Sequence, residues 1–95
     1  MRYYQFITEE HARADVCGPM TAYYEVADDH RIVRSLELYA DGVAYSYDVE
    51  HAADDCGILP DAEMDVAAAA EVGAVVELSE GDFASKWRDT KVANR

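Results

Sequence analysis

Between Arg34 and Lys86 the chain has no lysine or arginine, and the same stretch carries thirteen acids. A surface that grips phosphate needs a stripe of basic side chains, so this gap argues against direct nucleic-acid binding and against docking on an anionic membrane. No run approaches the roughly 18 consecutive apolar residues of a membrane span. The opening Met1-Arg2-Tyr3-Tyr4-Gln5 lacks an apolar signal core, and a cytoplasmic location is expected. The five glycines are scattered and form no phosphate-cradling loop. Only two cysteines occur, Cys17 and Cys56, with no C-x-x-C spacing, and reduced thiols are expected.

One near-repeat tests the metal question. Residues 10–18 and 50–57 each contain one histidine and one cysteine, so His11, Cys17, His51 and Cys56 would together supply a Cys₂His₂ set. The members of each pair stand too far apart for a known zinc motif. In an up-and-down sheet the two segments also fall at opposite ends. Two surface loops rich in Asp, Ala and Gly are expected, with no metal and no cofactor. Neither cysteine has a local nucleophile signature, and carboxylates are too numerous for any pair to stand out as an acid/base dyad. No enzymatic activity is expected.

What the sequence does contain is charge of one sign. Twenty acids against eight bases give 95 residues a net charge of −12. Self-repulsion at this density destabilises a compact chain, and solubility alone needs far less. Two readings compete. The acids attract a basic partner, itself a nucleic-acid-binding protein or a toxin, or they are the hydrated surface of a salt-adapted structural or regulatory domain, free or as an oligomer subunit. Only two lysines and many Asp and Ala fit the second reading as well.

With 51% apolar and 11% aromatic residues the chain is composed to fold. Alternation predicts strands over residues 2–8, 20–27, 32–39 and 43–49, a shorter fifth over 74–78, and turns at Asp28-Asp29-His30 and Asp41-Gly42. Asp61 is placed to cap a helix to about Val72. Ser79, with Asp82 three residues on, caps a second helix to Arg88 that carries Phe83 and Trp87 on one face. The expected fold is α+β: a four- to five-stranded antiparallel meander, one face covered by the C-terminal helix, plus a second short helix. Residues 1–90 would form a single domain and 91–95 a frayed tail. Parity sends Tyr4, Tyr24, Tyr45 and Tyr47 inward. Tyr23 and Tyr39 fall on the other parity, beside Glu25, Glu37 and Asp48, on an expected solvated face.

The order of these features is familiar. Tyr3-Tyr4, Tyr23-Tyr24-Glu25, Arg31 and Arg34, then Leu36 to Gly42, Leu59-Pro60, Glu77-Leu78-Ser79, Phe83 and Trp87 together resemble a family of small uncharacterised bacterial α+β domains, some of them immunity-protein-like. The resemblance implies the α+β fold and, for function, neutralisation of a bacterial toxin. It carries no catalytic signature. The expected function is an acidic inhibitor that occludes a basic site on a partner by imitating phosphate charge. Its expected contact face is Tyr23, Glu25, Glu37, Tyr39 and Asp48, extended by Asp54, Asp55 and Asp61.

Overall fold

The computed structural model describes residues 1–95. Strands β1 (Arg2–Thr8), β2 (Met20–Val26), β3 (Ile32–Leu38) and β4 (Ala44–Asp48) form an antiparallel meander. A two-residue hairpin follows, β5 (Ala53–Asp54) against β6 (Gly57–Ile58), then helix α1 (Val66–Val72), strand β7 (Gly73–Leu78) and helix α2 (Glu80–Asp89). β7 pairs antiparallel with β1, giving the order β4-β3-β2-β1-β7. The architecture is α+β, with a five-stranded antiparallel sheet and two helices. No helix is long and apolar enough to cross a membrane.

Local chemistry explains the elements. In the β3–β4 connection only Gly42 takes a positive φ, 86°, after Ala40 and Asp41, and the Tyr39 N–H donates to the Val43 carbonyl at 3.0 Å. This is the three-residue loop in which glycine supplies the left-handed step. Gly73 opens β7 for a different reason: a Cβ there would stand 2.3 Å from the Ile7 carbonyl oxygen, so only glycine lets the strand close on β1. Ser79 Oγ accepts the Asp82 N–H at 3.1 Å and starts α2, whose last turn carries Lys86 and Arg88.

Helix α1 is shorter than a cap at Asp61 predicts. Residues 61–64 instead lie as an extended strap over the β2–β3 turn, with Arg31 bridged to Glu63 and the Met64 N–H donating to the His30 carbonyl at 2.7 Å. Met64 packs on Tyr4, Val26 and Ile32, and that burial outweighs helix propensity. The cap therefore moves to Asp65, which accepts the Ala68 N–H at 3.1 Å. Residues 91–95, expected as a frayed tail, lie hydrogen-bonded along β4. The Ala93 N–H reaches the Ala44 carbonyl at 2.8 Å, and the Asn94 side chain accepts from the Ser46 N–H at 3.0 Å and donates to the Ser46 carbonyl at 2.9 Å.

Both faces of the sheet carry core. One holds Tyr3, Tyr23, Leu36 and Ala44 against Phe83 of α2, which is 1% exposed and has Tyr3 and Trp87 at ring distances of 5.2 and 6.0 Å. The other holds Tyr4, Val26 and Ile32 beneath Leu59 and Met64, and Met20, Ala22 and Tyr39 beside Val16 and Tyr45. The expectation of one solvated face is therefore corrected. Simple alternation put Ile32 with Leu36. A register shift between Glu25 and Val26 pairs Ile32 with Val26 while Leu36 pairs with Tyr23, which sends the two to opposite faces.

Candidate functional site

The expected contact face divides in the structure. Tyr23, Glu25 and Asp48 lie on the face that holds Phe83, whereas Glu37 and Tyr39 lie on the opposite one. The tyrosines are not solvated anchors: Tyr23 is 6% exposed and Tyr39 4%. Tyr23 is taken up by the α2 core, with Lys86 Nζ 5.7 Å from its ring. Tyr39 is closed off by the loop after β1, where His11 meets its ring edge-on and the Arg13 guanidinium lies 5.0 Å from its centroid.

The carboxylates of that set are mostly engaged within the chain. Glu25 takes Arg34 in a two-pronged pair with both contacts at 2.9 Å, and the guanidinium holds its carboxyl below the ordinary range. Arg34 in turn stacks 4.9 Å from the rings of Phe83 and Trp87. Burial pushes the Asp48 carboxyl up, but the His51 N–H and Arg95, 3.0 Å away, outweigh it and the net shift is down. Glu37 differs. Burial raises its carboxyl above the ordinary range, offset in part by the Tyr39 hydroxyl, which donates at 2.5 Å. Burial and then the Glu37 charge push the neighbouring Tyr24 hydroxyl up to about 12.

Asp54 anchors a polar knot. Its Oδ1 accepts from the Tyr47 hydroxyl at 2.9 Å and from the N–H groups of Cys56 and Gly57, while Oδ2 meets His51 Nε2 at 2.7 Å and Asn94 Nδ2 at 2.9 Å. His51, then Asn94, Cys56 and Tyr47 hold the carboxyl well below its usual range. These bonds tie β4, the β5–β6 hairpin and the C-terminal tail together. The two halves of the His/Cys near-repeat serve separate loops, since His11 Nε2 bonds the Gly18 carbonyl at 2.9 Å inside its own loop. Cys17 and Cys56 are both free and exposed, and no three His, Cys, Asp or Glu side chains converge in a metal-binding arrangement.

Of the eight residues expected to make contact, only Asp55 and Asp61 are both exposed and without an ionic partner. They belong to a larger set. All six arginines are paired within the chain, to Glu77, Asp15 and Asp41, Asp29, Glu25, Asp89 and Asp48. With Asp28 on the N-terminus and Asp54 on His51, nine of the twenty acids have partners. Ten of the remaining eleven are exposed: Glu9 and Glu10 after β1, and Glu50, Asp55, Asp61, Glu63, Asp65, Glu71, Glu80 and Asp82 in the base-free stretch. That stretch also holds five of the six large apolar residues left exposed, Val49, Ile58, Val66, Val72 and Val76.

The strap gives part of this flank its shape. On one side of Glu63 an open cleft of about 640 Å³ lies between Tyr4, Val26 and His30 and the residues Met64, of the strap, and Asp65, the cap of α1. On the other side a cleft of about 330 Å³ runs between Val33 and Val49 and the residues Leu59, Pro60 and Asp61. Arg2 lines the first cleft and Arg31 the second, ion-paired to Glu77 and Asp29 respectively, and beside them apolar side chains with unpaired carboxylates can seat aliphatic side chains that end in a cation. Sequence reasoning found the base-free stretch but placed the site on the sheet. The missed signal was the side-by-side placing of valines and acids at Val49-Glu50, Asp65-Val66 and Glu71-Val72, where the chain leaves its strand and helix patterns. No family model, no curated protein and no solved structure matches this chain.

Proposed function

We propose that this protein is an acidic protein-binding module that occludes a basic functional site on a partner, in the manner of an immunity protein neutralising a bacterial toxin in the cytoplasm. One observation carries the reading: the arginines are all engaged by internal ion pairs, so ten exposed carboxylates face solvent uncompensated, eight of them in the base-free stretch among exposed valines and an isoleucine. Such a surface speeds encounter with a cationic partner and repels anionic ones, while the apolar residues give area that holds the complex after encounter. The partner class is a toxin or other nucleic-acid-binding enzyme whose own site is basic, and the reading assigns no reaction to the chain. Helix α2 serves as the cover of one sheet face, which leaves the strap side to make contact.

The test is affinity capture from the source lysate at low and high salt, followed by an activity assay on the captured protein. The reading expects one basic protein whose activity falls when the purified module is added. Reversal of Asp61, Glu63 and Asp65 to lysine should slow association and flatten its salt dependence. Capture of nothing specific, or a captured enzyme with unchanged activity, would overturn it. The salt-adapted reading keeps one observation in its favour, a small core in which 15 of 95 residues are buried. Surface hydration would then carry more of the stability, and the salt dependence of unfolding separates the two.

A further inference from the structure

The two edges of the sheet are treated differently. The outer side of β4 is sealed by the C-terminal tail, where Asn94 presents its amide to the Ser46 N–H and C=O as a neighbouring strand would. The outer side of β7 has no neighbouring strand. None of the backbone hydrogen bonds outside the ladders and helices involves residues 73–78, and no side chain bonds their backbone. In an antiparallel pair alternate residues turn their N–H and C=O groups away from the partner strand, so β7 offers such a row to solvent. Natural sheets guard edges with lysine, proline, bulges or a covering loop. Gly73-Ala74-Val75-Val76-Glu77-Leu78 has no lysine and no proline, pairs with β1 without a bulge, has its single charge, Glu77, taken up by Arg2, and leaves Val76 53% exposed.

We infer that the β7 edge is a docking site for an extended basic segment of the partner, which adds as a sixth strand. This deepens the binding-module reading and rests on it. Charge chooses the occupant. At the start of β7 an open cleft of about 540 Å³ is rimmed by Glu9, Glu10 and Glu71, and just past its end stand Glu80 and Asp82, all exposed and without ionic partners. A second copy pairing through β7 would bring acids against acids in either orientation, with a charge of −12 on each chain. A segment with Lys or Arg at both ends of a β-branched middle meets the ladder with its backbone and the acids with its ends, which is the strand-addition mode of peptide recognition.

The experiment uses the intact protein and a synthetic peptide of alternating valine and threonine with two lysines at each end. A second peptide of the same sequence is N-methylated on alternate residues, which keeps the charge and removes one edge of backbone donors. Backbone amide NMR at about 0.15 M salt follows both titrations. The expected result is exchange protection gained at alternate residues of 73–78, with affinity lost by about tenfold or more on N-methylation. Val76→Lys, at an exposed position that leaves the core untouched, should weaken the unmodified peptide similarly. Equal binding of both peptides without protection at 73–78 would overturn the edge while leaving the acidic-surface reading intact. Binding of neither peptide would also overturn the edge, and the capture assay then judges the broader reading separately. A peptide-free dimer protected at 73–78 would overturn the proposal in favour of self-pairing.

Discussion

Asn94→Ala removes the side chain that substitutes for a strand beside β4. Three hydrogen bonds go with it: the acceptor for the Ser46 N–H at 3.0 Å, the donor to the Ser46 carbonyl at 2.9 Å and the donor to Asp54 Oδ2 at 2.9 Å. At a net value of about 1 kcal/mol each, the loss sums to about 2–3 kcal/mol. Ser46 is only 5% exposed, so its backbone groups regain little from water. Asp54 keeps Tyr47, His51 and the N–H groups of Cys56 and Gly57, so the β5–β6 hairpin should survive. Against a total stability of about 5–15 kcal/mol for a domain of this size, the change is large enough to read directly. Urea unfolding should show a lower midpoint at an unchanged slope, and hydrogen exchange should show the Ser46 amide losing protection. A chain truncated after Lys91 also loses the Ala93 bond to Ala44 and the Arg95 contact with Asp48, so it should fall further. A change below about 0.5 kcal/mol with Ser46 still protected would refute the edge-seal argument.

Four further outcomes rest on the packing and the charge. Phe83→Ala removes the one buried side chain of α2 and should cost about 3–5 kcal/mol in denaturant unfolding; a cost near 1 kcal/mol would mean that α2 is not anchored through this ring. Glu37 has its folded-state carboxyl raised by burial, so its contribution to stability is present below its ordinary value of 4.5 and is lost as pH rises through the raised value. Glu37→Gln should therefore raise the urea midpoint at neutral pH and converge with the parent protein in acid; a lower midpoint at every pH would contradict this. Glu25, Asp48 and Asp54 have the opposite sign: their contributions are present above the ordinary carboxylate range and are lost as pH falls from that range through their lowered values, so the urea midpoint should fall steadily on acidification there. Thermal unfolding across a KCl series tests the two accounts of the acidity: an inhibitor module should be folded in dilute buffer, whereas a salt-adapted domain should require salt to fold and gain stability steadily toward molar concentration.

Local signals in the sequence were strong where tertiary contacts agreed with them. The four strands of the meander, β7 and the Ser79 cap of α2 follow from alternation, turn residues and the Phe83–Trp87 spacing. Face assignment failed because parity counting cannot see a register shift, and the one between Glu25 and Val26 separates Ile32 from Leu36. Tyr23 and Tyr39 looked like solvated anchors for a different reason: nothing local says that a helix and a loop will each cover one of them. The strap at 61–64 and the pinned tail depend on partners about thirty or more residues away, His30 for Met64 and Ala44 and Ser46 for Ala93 and Asn94. Those pairings have no local signature. The acids of the proposed contact surface were visible as a base-free stretch, but which of them are free depends on where six arginines fold back, and only the structure gives that.

An unguarded edge beside a sealed one is consistent only if something else prevents self-pairing. Here the candidate is the charge itself. Glu9, Glu10 and Glu71 at one end of β7 and Glu80 and Asp82 at the other make every homotypic alignment bring like charges together, so repulsion takes the place of the lysine or proline found on other edges. Such protection works only as far as the field reaches. The screening length is about 8 Å at 0.15 M salt and about 3 Å at 1 M, so the protection should fade as salt rises. Sedimentation across the same KCl series should then find a monomer at physiological salt and reversible association near molar salt, with new exchange protection at residues 73–78. Val76→Lys should suppress that association, because a side chain on the edge is not removed by screening. If the protein remains monomeric at every salt concentration, charge is not what guards β7. The acids at the ends of β7 would then have no part in guarding the edge and would keep only their proposed part in meeting a basic partner.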